Sequence, residues 1–429
     1  MRTTFSVLAA VLALAAAPSL AVQSAVTAFT NLRVIGGAGH PEVADGVIVV
    51  RQGRIEAVGP ASSVRPPAGA AVVDLGGRFV MPGLISAHAH VSDVNGVAPR
   101  AYTEANVVRQ LGVFARYGVT SVWSLGGEEA PAYTVRDAQQ APTLDHARIW
   151  LAGDVITAAT ADEARRRVAD VAATKPDVIK IRVDDNVGTA AKMLPVVYRA
   201  VIDEAHRRNL RVAAHIFYLE DAKDVVRAGA DVVAHSVRDR DVDEEFINLL
   251  RARNIPYIPT LTRELSTFVY ESTPAFFTDP FFLAEADPAV IALLNDPARQ
   301  QAMRASKSAQ AYKAALPTAS RNLKRLADMG VTIAMGTDAG PSPERFQGYF
   351  EHVEMEMMAE AGLSPALVLR AATAAAAETM RVSGIGAIAP GAWADFVVLD
   401  RDPRADIRNT RSIAGVYIAG NRVERRPAN

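Results

Sequence analysis

His88 and His90 stand one residue apart at the end of the apolar run Phe79-Val80-Met81-Pro82-Gly83-Leu84-Ile85-Ser86-Ala87. In a strand, residues i and i+2 point to the same face, so His-x-His at a strand end aims two imidazoles at one point. A metal site needs that arrangement, although two polar residues leaving a strand would read the same way. Four more side chains able to donate to a cation occupy matching places. Lys180 lies in Asp177-Val178-Ile179-Lys180-Ile181-Arg182, and His215 ends Arg211-Val212-Ala213-Ala214. His235 ends Asp231-Val232-Val233-Ala234, and Asp338 ends Val331-Thr332-Ile333-Ala334-Met335-Gly336-Thr337. Each sits in or at the end of a short, β-branched apolar run, as a parallel sheet buried on both faces produces.

The elements that must position these residues alternate. Strands are predicted near 80–91, 119–126, 148–156, 177–183, 211–217, 231–237, 255–261 and 332–338. Helical stretches fall between them: 161–173 after the acidic Asp162-Glu163, then 190–208, 219–228, 241–253 and 305–329 closing at Gly330. Strand–helix alternation argues for a parallel sheet, and eight such strands match a (β/α)8 TIM barrel. A doubly wound open sheet is the runner-up. It fits less well, because only a closed barrel gathers the ends of strands one, four, five, six and eight. From Val26 to about Arg78, and again over 394–400 and 415–423, short strands broken by Gly and Pro predict a small β-sandwich domain built from both chain ends. The expected domains are 22–79 with 388–429 for the sandwich and 80–387 for the barrel. Thr262 to Arg299 breaks the rhythm with Phe268, Tyr270, Phe276, Phe277, Phe281 and Phe282. It reads either as a lid or pocket wall, or as a hairpin packing its aromatics into its own core.

Composition narrows the functions. Among 429 residues, 46 basic and 47 acidic side chains give a formal charge of −1, which does not suggest nucleic acid or an acidic membrane as partner. Cysteine is absent, so thiolate sites and disulfides are excluded and any metal ligands are N and O donors. Arg2, the apolar run Val7 to Ala17 and Pro18-Ser19-Leu20-Ala21 read as a signal peptide over residues 1–21. The run is short for a bilayer span, so no stable membrane anchor is expected after cleavage, and the mature chain is expected in the periplasm or outside the cell.

At these residues the chain resembles the amidohydrolase superfamily of metal-dependent hydrolases, and within it the exported imidazolonepropionase-like group that includes Xaa-Pro dipeptidase-type enzymes. Gly53-Arg54-Ile55-Glu56-Ala57-Val58-Gly59, Met81-Pro82-Gly83-Leu84-Ile85 and Pro390-Gly391-Ala392-Trp393-Ala394-Asp395 carry the likeness beyond the ligands. The resemblance implies two divalent metal ions, with Zn2+ the default. His88, His90 and Asp338 hold one, His215 and His235 hold the other, and Lys180, carboxylated by CO2, bridges them. An ammonium cannot ligate, whereas a carbamate offers two anionic oxygens. A metal-bound hydroxide would then cleave an amide of the dipeptide or N-acyl amino acid type, with Asp338 as general base and acid and His235 or Tyr218 holding the oxyanion.

Competing readings are a mononuclear deaminase or a cyclic-amide or lactone hydrolase of the same superfamily, and a non-enzymatic metal-binding protein. Deaminase-like members usually lack the strand-four lysine and carry a glutamate where this chain has Tyr218. Candidate substrate contacts are Tyr218, Arg182, Arg238 and His352. His40, His146 and His206 read as surface residues. The partner is a small amide or peptide, and a homo-oligomer is compatible with the sequence. N-terminal sequencing of protein exported by a bacterial host is expected to begin at Val22; retention of Met1 with membrane association would indicate an anchor instead.

Overall fold

The broken, strand-rich segments at the two chain ends pair with each other. The computed structural model describes residues 26–35 and 42–424, so the expected signal peptide and His40 lie outside the described residues. Strands β1 (Val26–Val34), β2 (Val43–Arg51), β3 (Arg54–Pro60) and β4 (Ala71–Pro82) come first. The middle holds β5 (Leu84–Ala89), β6 (Val119–Ser124), β7 (Arg148–Leu151), β8 (Ile179–Arg182), β9 (Val212–His215), β10 (Val232–Ala234) and β11 (Tyr257–Ile258). Last are β12 (Phe396–Leu399), β13 (Ile413–Ile418) and β14 (Asn421–Arg422).

The end strands form one continuous seven-stranded mixed sheet in the order β14-β13-β12-β4-β1-β2-β3. Strand β4 is long enough to bond β1 in parallel on one side and β12 antiparallel on the other, with Val80 opposite Val398. Alternation along the strands gives each face its own apolar set. Phe29, Ile48, Phe396 and Tyr417 belong to one and Ala28, Val47 and Val49 to the other. The rings of Phe396 and Tyr417 stack 4.9 Å apart with Phe29 edge-on to both.

The middle is α/β. Strands β5-β6-β7 form one parallel sheet and β8-β9-β10-β11 another, each joined by helices. Single parallel bridges link the groups: Ile156 with Ile181, Tyr257 with Ile333, and Ala89 with Ala339. The segment expected as the strand 332–338 forms no ladder. Asp338 has φ +60, and the amides of Thr337 and Asp338 both turn onto the carbonyl of His88 at 2.8 Å, which breaks the extended geometry. The strand expected over 80–91 is two strands, β4 in the end sheet and β5 in the middle, divided at Gly83. A Cβ at Gly83 would lie 2.0 Å from Thr120 Oγ1, so only glycine lets the chain cross there.

Helix Ala161–Ala173 has the predicted bounds, with Thr160 accepting from the Glu163 amide as its cap. Helix Leu219–Ala228 stops at Gly229 in the left-handed conformation. The remaining predicted helices are shorter, Pro195–Arg207, Glu244–Ala252 and Lys307–Asp328, each trimmed to its cap or proline. In the 262–299 insertion, Tyr270, Phe277 and Phe282 share a core with Tyr117, Tyr349 and Phe350, so its aromatics pack on the body of the protein. Among the described residues no helix is long and apolar enough to cross a membrane.

A buried ion pair joins the two parts. Arg148, ahead of β7's apolar stretch, meets Asp395 at 2.7 Å with both side chains sealed from solvent. Asp395 also accepts from the Ala419 amide, and the Trp393 ring is flanked by Arg54 at 4.0 Å and Arg148 at 3.9 Å. Asp395→Ala leaves a buried guanidinium without its counter-charge. Its urea midpoint is expected to fall by an amount equivalent to about 3–5 kcal/mol, against less than about 1 kcal/mol for disruption of the exposed Arg78–Asp400 pair.

Candidate active site

The six residues expected as ligands come together at the ends of the middle strands. His88 lies in β5, His90 just beyond it, Lys180 in β8, His215 at the end of β9, and His235 directly after β10. Donor atoms of His88, His235 and Asp338 lie within 4.8 Å of one another. Lys180 Nζ is 2.9 Å from His88 Nε2, and Asp338 Oδ1 is 2.8 Å from His90 Nε2 and 3.3 Å from His88 Nε2. The ring of His235 is 4.5 Å from that of His88 and 4.0 Å from that of His215.

Strand ends and unusual backbone deliver this geometry. His235 (φ +72) and Asp338 (φ +60) are both left-handed, an arrangement that persists only where surrounding contacts enforce it. Gly340 follows Asp338 so closely under the site that a Cβ would meet the His90 carbonyl at 2.0 Å. The outward nitrogens of three histidines face polar groups. His90 Nδ1 bonds the Gly126 carbonyl at 2.9 Å, His235 Nδ1 bonds Thr260 Oγ1 at 2.7 Å, and His215 Nε2 lies 2.9 Å from Asp184 Oδ2. The opposite nitrogens of those rings face the site, that of His90 lying 2.8 Å from Asp338 Oδ1.

Burial disfavours the charged forms of His88, His215, His235 and Lys180. It drives His88 and His235 well below the usual imidazole range and His215 down to about 4, and it brings Lys180 down to about 8. For Asp338, burial alone would raise the carboxyl. Arg345 and the neighbouring His88 and His90 outweigh it and hold the group well below the carboxylate range. Lys180 has no carboxylate at ion-pairing distance among the described residues, and the buried His88 Nδ1 has no hydrogen-bond partner there. Four imidazoles, a buried amine and one carboxylate are gathered here, three of them around one point. The set fits divalent cations that take N and O ligands.

The expected substrate contacts fare differently. Arg182 ends β8 on the strand face of Lys180, is partly exposed, and forms no ion pair among the described residues. Tyr218 directs its hydroxyl to Asp185 at 2.9 Å and carries Lys192 over its ring, so it is engaged away from the ligands. Arg238 is a correction. Its side chain is fully buried and paired with Glu264 at 3.1 Å beneath the Phe217 ring, out of any substrate's reach. His352 is another. The turn of helix Tyr349–Glu360 points it to Thr410 Oγ1 and the Tyr117 carbonyl, where it is fully buried. His206 is exposed and pairs with Asp231, whereas His146 is partly buried, against the expectation of a surface position.

Sequence reading missed several neighbours. Arg345 pairs with Asp338 Oδ2, and Arg263 reaches the same oxygen at 3.7 Å while holding Glu264 and Tyr312. Asp184, Thr260 and Glu128 support ligands from behind. The available signal was a charged or hydroxyl residue a few positions after a strand-end ligand, as in Gly340-Pro341-Ser342-Pro343-Glu344-Arg345. Thr260→Val keeps the branched shape but removes the partner of His235 Nδ1. Zinc affinity measured by chelator competition is expected to drop by about 10–100-fold with little change in the metal-free protein's melting temperature.

The profile of the amidohydrolase family matches residues 79–423. Ochratoxinase of Aspergillus niger is 27 % identical over 269 residues, covering 60 % of this chain and 48 % of that protein. The chain thus spans about half the length of the curated relatives it matches. Among solved structures, a protein of Bifidobacterium longum assigned as a prolidase superposes with TM-score 0.75 at 26 % identity, covering 95 % of this chain and 96 % of that one. A Xaa-Pro dipeptidase with bound methionine in its active site superposes with TM-score 0.74 at 21 % identity, covering 93 % and 100 %, and this shows likeness of fold.

Proposed function

The chain belongs to the amidohydrolase family, and from that premise we propose that it is a hydrolase of amide carbon–nitrogen bonds using two divalent metal ions. The observation that carries this reading is the gathering of six donor side chains, with His88, His235 and Asp338 within 4.8 Å of one another and the outer nitrogens of His90 and His235 held by Gly126 and Thr260. We read the middle strands as a closed (β/α)8 barrel, with the three single bridges joining its sectors, and the end sheet as a sandwich folded over the Phe29 face. The reading includes export to the periplasm or beyond.

His88, His90 and Asp338 would hold one ion and His215 and His235 the other, with Lys180 as bridge once carboxylated. The buried setting that favours neutral Lys180 Nζ also favours its reaction with CO2, because only the free amine is a nucleophile. When bound, the ions, zinc by preference, supply Lewis-acid polarisation of the scissile carbonyl and acidify a water. The rest is work for the chain's own groups. Asp338 keeps Oδ1 toward the histidines and uses Oδ2 to take the proton of the attacking water and return it to the leaving nitrogen. Arg345 sits on Oδ2 and must withdraw for that transfer; it comes from the glycine-led loop after Asp338 and is partly exposed. Arg263 stays beside the same oxygen, fixed by Glu264, and keeps the carboxylate ionised.

We take the substrate to be a dipeptide or N-acyl amino acid. Arg182, a cation on the Lys180 face that forms no ion pair among the described residues, suits its free carboxylate. The likeness to a prolidase and a Xaa-Pro dipeptidase supports a peptide-type amide. Lys180 and the tyrosine at 218 weigh against the deaminase reading, and the satisfied ligand shell weighs against an inert metal carrier.

Protein purified without chelator is expected to hold about two divalent metals per chain, and Lys180→Ala to lose most of them, with partial recovery in short carboxylic acids. A content that stays near one with added zinc and bicarbonate would exclude the bridged pair. Metal-replete Asp338→Asn is expected to lose about 10²–10⁴-fold in kcat on an amide substrate while its metal content falls only modestly. Turnover near the wild-type rate would put the proton transfer on another residue.

A further inference from the structure

Glu128 is a fully buried carboxylate that no step above uses, and its surroundings are all donors. Oε1 accepts from Ser124 Oγ at 2.5 Å and from the Gly126 amide at 2.8 Å. Oε2 accepts from the Ala152 amide at 3.1 Å and the Gly153 amide at 2.7 Å. Ser124 Oγ in turn accepts from the Val91 amide at 2.9 Å, which commits its own hydrogen to Glu128. One side chain therefore ties together the loops that leave β5, β6 and β7, and Gly127 closes the group by donating to the Gly153 carbonyl at 2.8 Å. The peptide at Gly126 is the link to the chemistry. Its N–H is held by Glu128, and the carbonyl of the same residue accepts from His90 Nδ1.

We infer that Glu128 is a positioning residue of the metal centre, fixing the Gly126 backbone so that its carbonyl holds the hydrogen of His90 Nδ1 and turns Nε2 toward the site beside Asp338 Oδ1. The inference rests on the metal-centre reading for its purpose but not for its geometry. A carboxylate is required, because both oxygens must accept twice. Glutamine presents an NH2 to two donors and turns part of the cradle repulsive, and aspartate is too short to reach from its own backbone to all four.

The test uses the full chain with Glu128→Gln. Nitrogen-15 NMR of the histidines in metal-free protein reads the His90 tautomer without substrate or metal. The expected result is loss of the fixed Nδ1–H form, with zinc affinity by chelator competition weakened by about 10–100-fold. If the variant loses thermal stability while His90 keeps its tautomer and zinc affinity stays at the wild-type value, Glu128 is a loop anchor only and the inference is overturned. Should Glu128→Gln fail to fold, Ser124→Ala removes one donor and is expected to shift both readouts in the same direction by a smaller factor; unchanged readouts there also overturn it. A wild-type protein that binds no zinc would defeat the proposed function, and the tautomer of His90 would still decide this inference.

Discussion

An imidazole has two nitrogens, and it can give one lone pair to a metal only if the other nitrogen's hydrogen has somewhere to go. In water that condition is met without design. In a buried site it must be built, because an unpartnered N–H there costs as much as a lost hydrogen bond. The partners of His90, His215 and His235 are a backbone carbonyl, a carboxylate and a hydroxyl, each from a different loop after a middle strand. The loops are held in turn by buried acids. Glu351 accepts from Ser86 and Thr337, and Glu354 accepts from the amides of Leu261 and Thr262. These two acids lie three residues apart on helix Tyr349–Glu360, so one helix face secures the backbone beside His88, Asp338 and Arg263. The order of the site is thus inherited from a layer of carboxylates that never meets solvent.

Backbone hydrogen bonds accompany the left-handed backbone at His235 and Asp338. Each conformation is unfavourable in isolation. At Asp338 two successive amides are spent on the His88 carbonyl, and at His235 the amide is spent on the Ile258 carbonyl. The contacts over-determine the chain, and the side chains are turned inward from positions where a regular strand would have run past them.

The six candidate ligands stood out in the sequence because each sits in or at the end of an apolar run, and hydrophobic period is what a single sequence displays best. Helix Ala161–Ala173 was legible from its charged face and the acidic Asp162-Glu163 of its first turn. Arg238 and His352 were misread because sequence nearness to a ligand was taken for spatial access. Arg238 instead turns under Phe217 to Glu264, a partner that no periodicity announces. Glu128 and Arg345 follow strand ends in irregular segments and Arg263 lies in the short helix Leu261–Ser266, places where a charged residue is ordinarily solvated, and the partners that engage them arrive from elsewhere in the chain. The break at Gly83 was hidden because one apolar run supplies two strands of different sheets.

The end sheet carries a consequence for the order of synthesis. Strand β4 is made early, yet one of its edges is covered only by β12, which is made after every strand of the middle. Until then Val80 and its neighbours present an open backbone edge and an apolar face, the combination most prone to pair with another chain. Completion of the sheet requires contacts between the most distant parts of the sequence, so it is expected to be the slow, late event in folding. The Arg148–Asp395 pair can form only at that moment, since its partners belong to the middle and to the returning end. A ribosome that stalls before β12 would release a chain whose middle can assemble and whose first four strands can pair with one another, but whose β4 keeps one edge uncovered.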